Sequence, residues 1–197
     1  IAEGGGGSYS SNSCIQVKNL STGEQVMEYA NNSIAPGPFA DLTMAVAYWF
    51  WTGFLSYECN GPGNGFSKRI SERNYPDVFM RIPYWRKHRN MIANPQPGWN
   101  TDQASKQVMF SDLNMSVLEG SLVIRSQLLK EEFHQYIRDK GKIVHSHNPG
   151  NDASHGDRVI AMCVTEQAAK ERPQPKPGEE SVDPQNPQPN TMAARLR

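Results

Sequence analysis

Residues 54–66 are FLSYECNGPGNGF, and this stretch decides the fold class. The apolar run Phe54–Tyr57 predicts a short strand, Glu58 follows it directly, and the glycines of Gly61–Gly65 break it. Residues Phe66–Arg73 then predict a helix. A strand that turns at once into a helix is typical of α/β folds. Ligands in such folds lie at the carboxyl ends of the strands, which is where Glu58 stands.

The segments on both sides extend this pattern. Upstream, Cys14–Asn19 and Gln25–Tyr29 alternate apolar and polar residues around a turn at Ser21-Thr22-Gly23, which predicts a β-hairpin. Further helices are predicted over Phe39–Trp51, Ser105–Leu118, Gln127–Ile137 and His155–Ala169, and extended segments over Val78–Ile82, Leu122–Ile124 and Ile143–His147. A hairpin followed by alternating helices and short strands predicts an α/β domain with a mixed sheet.

The composition predicts one folded domain with a polar tail. The 197 residues carry 20 basic and 20 acidic side chains, and this balance excludes a globally basic nucleic-acid coat protein. No apolar run approaches about 18 residues, so no transmembrane span and no membrane partner are predicted. The three cysteines lack CxxC spacing, which argues against a disulfide framework or a zinc ribbon. We assign residues 1–170 to the domain and the Pro-rich residues 171–197 to a disordered tail.

Two acidic segments are candidates for metal chemistry. Glu58 ends a predicted strand, and Asp157 begins a predicted helix within HGDRVIA, residues 155–161. Asp152 lies in the polar loop just before that helix. Carboxylate oxygens are the ligands that hard divalent ions such as Mg²⁺ prefer. The structural alternative stays open, because Asp at a helix start also caps free N–H groups and Glu at a strand end also faces solvent.

A basic segment with interleaved aromatic residues is the candidate nucleic-acid contact. Residues 68–89 hold seven basic and two acidic residues, with Tyr75, Tyr84 and Trp85 among them. Basic side chains neutralise phosphates, and aromatic rings stack on bases. A solvated charged face is the alternative. The basic residues proposed for DNA contact, including one from the start of a later helix, are Arg81, Arg86, Lys87, Arg89 and Lys106.

Taken in order, these segments resemble the nuclease domain of the large terminase subunit of tailed bacteriophages. The resemblance covers most of residues 1–170, and the order and spacing of its motifs carry it. The similar segments are the opening Gly4–Ser8 loop, Thr22-Gly23-Glu24, Pro38-Phe39-Ala40, Tyr57–Gly63 as an E-x-N-x-x-G motif, Trp99-Asn100-Thr101 with Lys106, Ile124-Arg125-Ser126 and His155–Ala161.

The resemblance implies an RNase H-like fold and a metal-dependent DNA endonuclease. It implies that Glu58 and Asp157 are catalytic carboxylates of a two-metal site for Mg²⁺ or Mn²⁺, with Asp152 as an additional ligand. The substrate would be double-stranded DNA in the cytoplasm of a bacterial host. In the full-length protein the partners would be an ATPase domain, a small terminase subunit and a portal.

The resemblance also implies that the fold continues upstream. The family's first strand ends in a catalytic Asp just before a Gly-rich turn, and here that turn follows almost directly after Ile1. We therefore expect the first strand and its Asp to lie immediately upstream of Ile1, with Glu3 as a less favoured substitute. Two other functions stay open: another RNase H-like nuclease, such as a resolvase or transposase core, and a DNA-binding or docking module without catalysis.

Overall fold

The computed structural model describes residues 1–7, 10–81, 95–139, 142–146 and 156–172, and their fold is mixed α/β. The described residues contain five helices: α1 (Pro36–Trp49), α2 (Gly63–Glu72), α3 (Gln103–Leu118), α4 (Gln127–His134) and α5 (Asp157–Ala169). They contain six strands: β1 (Ser13–Lys18), β2 (Gln25–Asn31), β3 (Met80–Arg81), β4 (Gln96–Pro97), β5 (Tyr136–Asp139) and β6 (Lys142–His145). None of these helices is both long and apolar enough to cross a membrane.

The strands of the described residues form three antiparallel pairs, β1–β2, β3–β4 and β5–β6. The predicted first hairpin is confirmed: Ser13 lies opposite Asn31, and Val17 lies opposite Met27. The turn needs Gly23, whose φ is +74° and where a Cβ would collide with the Ser121 carbonyl oxygen. Single parallel bridges join Leu55 to Val78, Glu58 to Trp99 and Glu24 to Val123. The short segments around Leu55 therefore pair in parallel without forming a long ladder.

Two hydrophobic clusters lie on opposite faces of β1. Ile15 belongs to the first cluster, with Val17 packed against it, and helices α1 and α2 supply much of the rest through Phe39, Met44, Phe66 and Ile70. The alternate residues of β1 meet helix α5 instead. The second cluster is built by α3, α4 and α5, with Met109, Leu113, Leu129, Val159 and Met162 fully buried. Strand β1 therefore forms a middle layer between two helical layers, as the period-2 alternation of its side chains requires.

Local signals explain where the helices begin. Pro36 occupies the first position of α1, where its missing N–H has no intrahelical partner to lose. Helix α3 begins with a capping box, in which Asp102 accepts from the Ser105 N–H and the Ser105 hydroxyl accepts from the Asp102 N–H. Ser126 caps α4 through the Leu129 N–H.

The sequence-based elements agree with the structure in most places. The prediction of a helix over Gln127–Ile137 is wrong at its C-terminal end. The helix stops at His134, and the chain continues as β5. Ile137 is exposed there, so a larger α4 would have gained little burial from it. The stretches expected as strands at residues 54–57 and 122–124 make only single bridges. Residues 82–94 and 173–197 lie outside the described residues.

Candidate active site

A groove of about 800 Å³ runs through the middle layer beside β1. One of its long walls is β1, and the other is the segment Gly53–Glu58. Helices α1 and α5 close it from the two faces through apolar side chains, including Phe39, Val46, Ile160, Val164 and Ala168, and Phe50 lines it just after the end of α1. The polar residues Asn12, Glu58, Thr101, Lys106 and Asp157 line the same groove.

Glu58 is held at this groove by a rigid turn. The segment pairs with Trp99, since the Trp99 N–H donates to the Tyr57 carbonyl and the Cys59 N–H donates to the Trp99 carbonyl at 2.8 Å. Asn60 locks the turn to the start of α3: its amide donates to the Thr101 carbonyl at 2.5 Å and accepts from the Thr101 N–H at 3.2 Å. These bonds give a structural reason for Asn at this position of the E-x-N-x-x-G motif.

The glycine that ends the motif is required by space. Gly63 is buried at the first position of α2, and a Cβ there would collide with the Glu58 carbonyl oxygen. Helix α2 therefore approaches the end of the strand more closely than it could if residue 63 had a side chain. The close approach fixes the backbone of Glu58 against the amino end of α2.

Asp157 is placed by a different pair of elements. It is the first residue of α5, where the helix dipole favours a negative charge. Its Oδ2 atom accepts from the Asn12 N–H at 2.6 Å, immediately before β1. Burial, and after it the charge of Asp157, raises the pKa of the neighbouring Cys14 thiol to about 12. The described fold thus places Glu58 and Asp157, far apart in the sequence, on the wall of one groove.

Two basic side chains line the grooves next to the Asn60 turn. Lys106, in the first turns of α3, lines the same groove as both carboxylates. Arg81 lines a second, more polar groove on the other side of the Asn60 turn, where its guanidinium donates to Gln96 at 3.1 Å. Its Nε atom is buried and has no hydrogen-bond partner among the described residues. Lys106 therefore shares the groove of Glu58, with its ammonium 5.9 Å from the centre of the Phe110 ring, and Arg81 lines the neighbouring groove that contains Cys59 and Asn60.

The sequence did not predict an ionic layer between β2, α4 and α5. Arg158 contacts Glu28 at 3.1 Å and Glu132 at 3.5 Å, and Glu132 also accepts from the Val159 N–H at the start of α5. Burial raises the pKa of the Glu132 carboxyl above its ordinary value, against the lowering effects of the Val159 N–H and of Arg158. The sequence signal closest to this layer was the polar residue at every second position of the hairpin strands. That pattern predicted a face exposed to solvent and did not predict ion pairs.

The carboxylates fit the donor chemistry of Mg²⁺ or Mn²⁺ but do not complete a ligand set. Among the described residues, no group of three or more His, Cys, Asp or Glu side chains is arranged to hold a metal ion. Asp152 lies outside those residues, as do Arg86, Lys87 and Arg89. The described part of the fold therefore supplies two candidate ligands, Glu58 and Asp157, of a site that needs more.

Comparison with known proteins does not assign the chain to a family. No protein-family model matches the chain, and no curated protein matches it. The function is therefore argued from the groove, its carboxylates and its cations.

Proposed function

We propose that the chain is a metal-dependent DNA endonuclease domain with an RNase H-like fold, of the kind found in the large terminase subunit of tailed bacteriophages. The observation that carries the proposal is that Glu58 and Asp157 line one groove. One carboxylate comes from a strand end and the other from a helix start. This is the pair that the resemblance implies as catalytic.

The metals would be held by Glu58 and Asp157, with Asp152 as a further ligand. A pair of divalent ions activates water and stabilises the leaving oxygen of a phosphodiester. The chain's own contribution is rigid placement: the Asn60–Thr101 clamp fixes the strand end that carries Glu58, and the Asn12 N–H fixes Asp157. A bound ion also offsets the repulsion between the carboxylates that converge on it.

The DNA would be bound through its phosphates. Lys106 stands in the groove with the carboxylates, and Arg81 stands beyond the Asn60 turn, so a backbone crossing the strand end would meet a cation on each side. Phosphate contacts position the duplex without selecting a sequence. We therefore expect cleavage that is largely independent of sequence.

The biological setting follows from the same proposal. The domain would cut concatemeric DNA during genome packaging in the cytoplasm of a bacterial host. An ATPase domain, a small terminase subunit and a portal would be its partners. A resolvase or transposase core would share the fold and the metal chemistry but would lack these partners.

The test removes one carboxylate charge at a time. The variants are made in a protein extended upstream to include the expected first strand and its Asp, because residues 1–197 without that Asp are not expected to be fully active. In Glu58→Gln and Asp157→Asn of this protein we expect loss of Mn²⁺ binding, measured by titration calorimetry, and at least a hundredfold loss of Mg²⁺- or Mn²⁺-dependent plasmid nicking. Glu119→Gln is the matched control, because Glu119 is exposed at the end of α3, away from the groove. Circular dichroism checks that each variant is folded. Full nicking by either groove variant would contradict the proposal.

A DNA-binding or docking module without catalysis is the second candidate. Two observations favour it: Asp157 already accepts a structural hydrogen bond from the Asn12 N–H, and the described residues gather no complete ligand set. Such a module would bind DNA with the same affinity whether or not Mn²⁺ is present. Unchanged DNA affinity in Asp157→Asn, with no nicking even by the protein extended upstream to include the first strand and its Asp, selects this candidate.

A further inference from the structure

The end of α1 and the turn after it carry three exposed aromatic side chains. Tyr48, Trp49 and Trp51 are 42%, 81% and 57% exposed. Single exposed apolar residues are normal on a protein surface, whereas a group of large ones is typical of an interaction site. Tyr48, Trp49 and Trp51 together are called the aromatic patch below.

The backbone holds Trp51 in its exposed position. The φ angles of Trp51 and Thr52 are +54° and +58°, a left-handed conformation that is unusual for a bulky or β-branched residue. Two bonds fix the turn: the Gly53 N–H donates to the Ala47 carbonyl at 2.9 Å, and the Tyr75 hydroxyl donates to the Gly53 carbonyl at 2.6 Å. Strained conformations of this kind persist where the surrounding structure enforces them, and they are common at binding sites.

The end of α5 lies beside the aromatic patch. Trp51, Phe54 and Ala169, the last residue of α5, line the same groove. The guanidinium carbon of Arg172 lies 4.1 Å from the centre of the Phe54 ring, and the guanidinium pairs with Asp77. Phe54 is three residues from Trp51, so at most about 11 Å separates their Cα atoms. The chain that follows Arg172 therefore begins next to the patch.

The sequence that follows Arg172 favours one backbone conformation. Residues 173–177 are PQPKP, with Pro at every second position. Pro fixes its own φ, and Gln174 and Lys176 each precede a Pro, which restricts them to extended backbone. The whole segment therefore favours polyproline II and loses little conformational entropy when it binds. At about 3.1 Å per residue, five residues span about 15 Å, which exceeds the separation of Phe54 and Trp51.

The charges next to the aromatic patch favour an apolar ligand over a nucleic acid. Arg172 is paired with Asp77. Arg73, two residues before the ring that packs on Tyr48, is paired with Asp41 at 3.2 Å. Each of these cations already has a carboxylate partner, so neither supplies the excess positive charge that phosphates require. Pro-rich segments, in contrast, bind to surfaces lined by exposed aromatic rings.

We propose that residues 173–177 bind to the aromatic patch of the same chain as a polyproline II segment. Arg172 fixes the start of the segment at Phe54, and the Pro rings pack on the side chains of the patch. The bound segment covers the patch and holds the end of α5 against the turn that follows α1. The inference does not rest on nuclease activity, and its test needs neither metal nor cleavage.

The experiment measures backbone order in the full chain by NMR relaxation. We expect the amides of Gln174 and Lys176 to have order parameters above about 0.6, the upper limit of a flexible backbone, and to fall below it in Trp51→Ala. Ile137→Ala is the matched control and should change neither value. Ile137 is 46% exposed but lies in β5, whose Tyr136 stands beside Gly156 at the opposite end of α5. Order parameters below about 0.6 in the parent chain, or unchanged in Trp51→Ala, overturn the proposal.

A second arm changes the segment and leaves the folded domain untouched. Replacing the three prolines of residues 173–177 with Gly should shift the indole N–H signals of Trp49 and Trp51. The matched control replaces three prolines further along the tail, Pro184, Pro187 and Pro189, and should leave both signals in place. Equal effects of the two triple variants overturn the proposal.

Two further results would assign the aromatic patch to another ligand. Indole signals of the parent chain that move as the protein is diluted would show that a second copy covers the patch. Indole signals that respond to added oligothymidine, but not to the Gly substitutions in residues 173–177, would show that the patch stacks on bases. Either result overturns the proposal.

Discussion

The ion pair between Lys18 and Glu166 gives the sharpest test of the packing between β1 and α5. Lys18 Nζ lies 2.8 Å from the Glu166 carboxylate, and the two side chains are only 6% and 4% exposed. Lys18→Met removes one partner and leaves a buried carboxylate unpaired. Breaking a buried pair in this way costs about 3–5 kcal/mol. At roughly 2–4 °C per kcal/mol for a chain of this size, the melting temperature should fall by about 6–20 °C.

Thermal and urea denaturation followed by circular dichroism measure this loss. The double variant Lys18→Met with Glu166→Leu should recover most of the stability, because no charge is then buried alone. Lys68→Met is the matched control: Lys68 is 79% exposed and lies 3.9 Å from Glu72, so its loss should cost less than about 1 kcal/mol. The reasoning is refuted if Lys18→Met costs no more than Lys68→Met, or if the double variant is as unstable as the single one.

Three further predictions concern other parts of the chain. Gly63→Ala should cost about 1–3 kcal/mol in urea denaturation, because a Cβ collides with the Glu58 carbonyl, whereas Gly65→Ala, with 3.6 Å to Pro36, should be neutral or stabilising; equal effects would contradict this. Burial raises the pKa of Glu132 in the native state, so its carboxyl favours folding when protonated and loses that contribution as pH rises through the raised value. The native protein should therefore gain stability relative to Glu132→Gln as pH falls from 7 towards 4.5, the carboxyl's ordinary pKa, and parallel urea profiles at the two pH values would refute the assignment. Arg86→Ala combined with Lys87→Ala should weaken DNA binding equally for all sequences and make the log–log salt slope shallower by about one to two units; an unchanged slope would indicate a solvated face.

Local sequence signals predict most of the elements, because their causes are local. The alternation of Ile15 and Val17 predicts β1, whereas the prediction for α3 began at Ser105 and left out the first residues that follow the Asp102 cap. The end of α4 was missed because its apolar spacing continues to Ile137, and only the exposure of that residue in the fold shows that nothing covers a longer helix.

The candidate site is predictable in part. The position of Glu58 after an apolar run indicated a strand end, and Asp157 before another apolar run indicated a helix start. Their place on a common groove, however, depends on long-range contacts such as the Asn12–Asp157 and Asn60–Thr101 bonds, which no sequence spacing encodes. The layer that contains Arg158 was missed for the same reason.

The division of the core into two clusters affects how the protein unfolds locally. The first cluster draws its buried residues from Ile15–Tyr75, and the second draws its own from Met109–Val164. Each set is contiguous in the chain, so we expect each to open as a unit of its own once the contacts between β1 and α5, among them the Lys18–Glu166 pair, are broken. Tyr57 and Cys59, on either side of Glu58, pack in the first cluster, while Val159, just after Asp157, is buried in the second. We therefore expect the opening of either unit to separate the two carboxylates before the other unit unfolds.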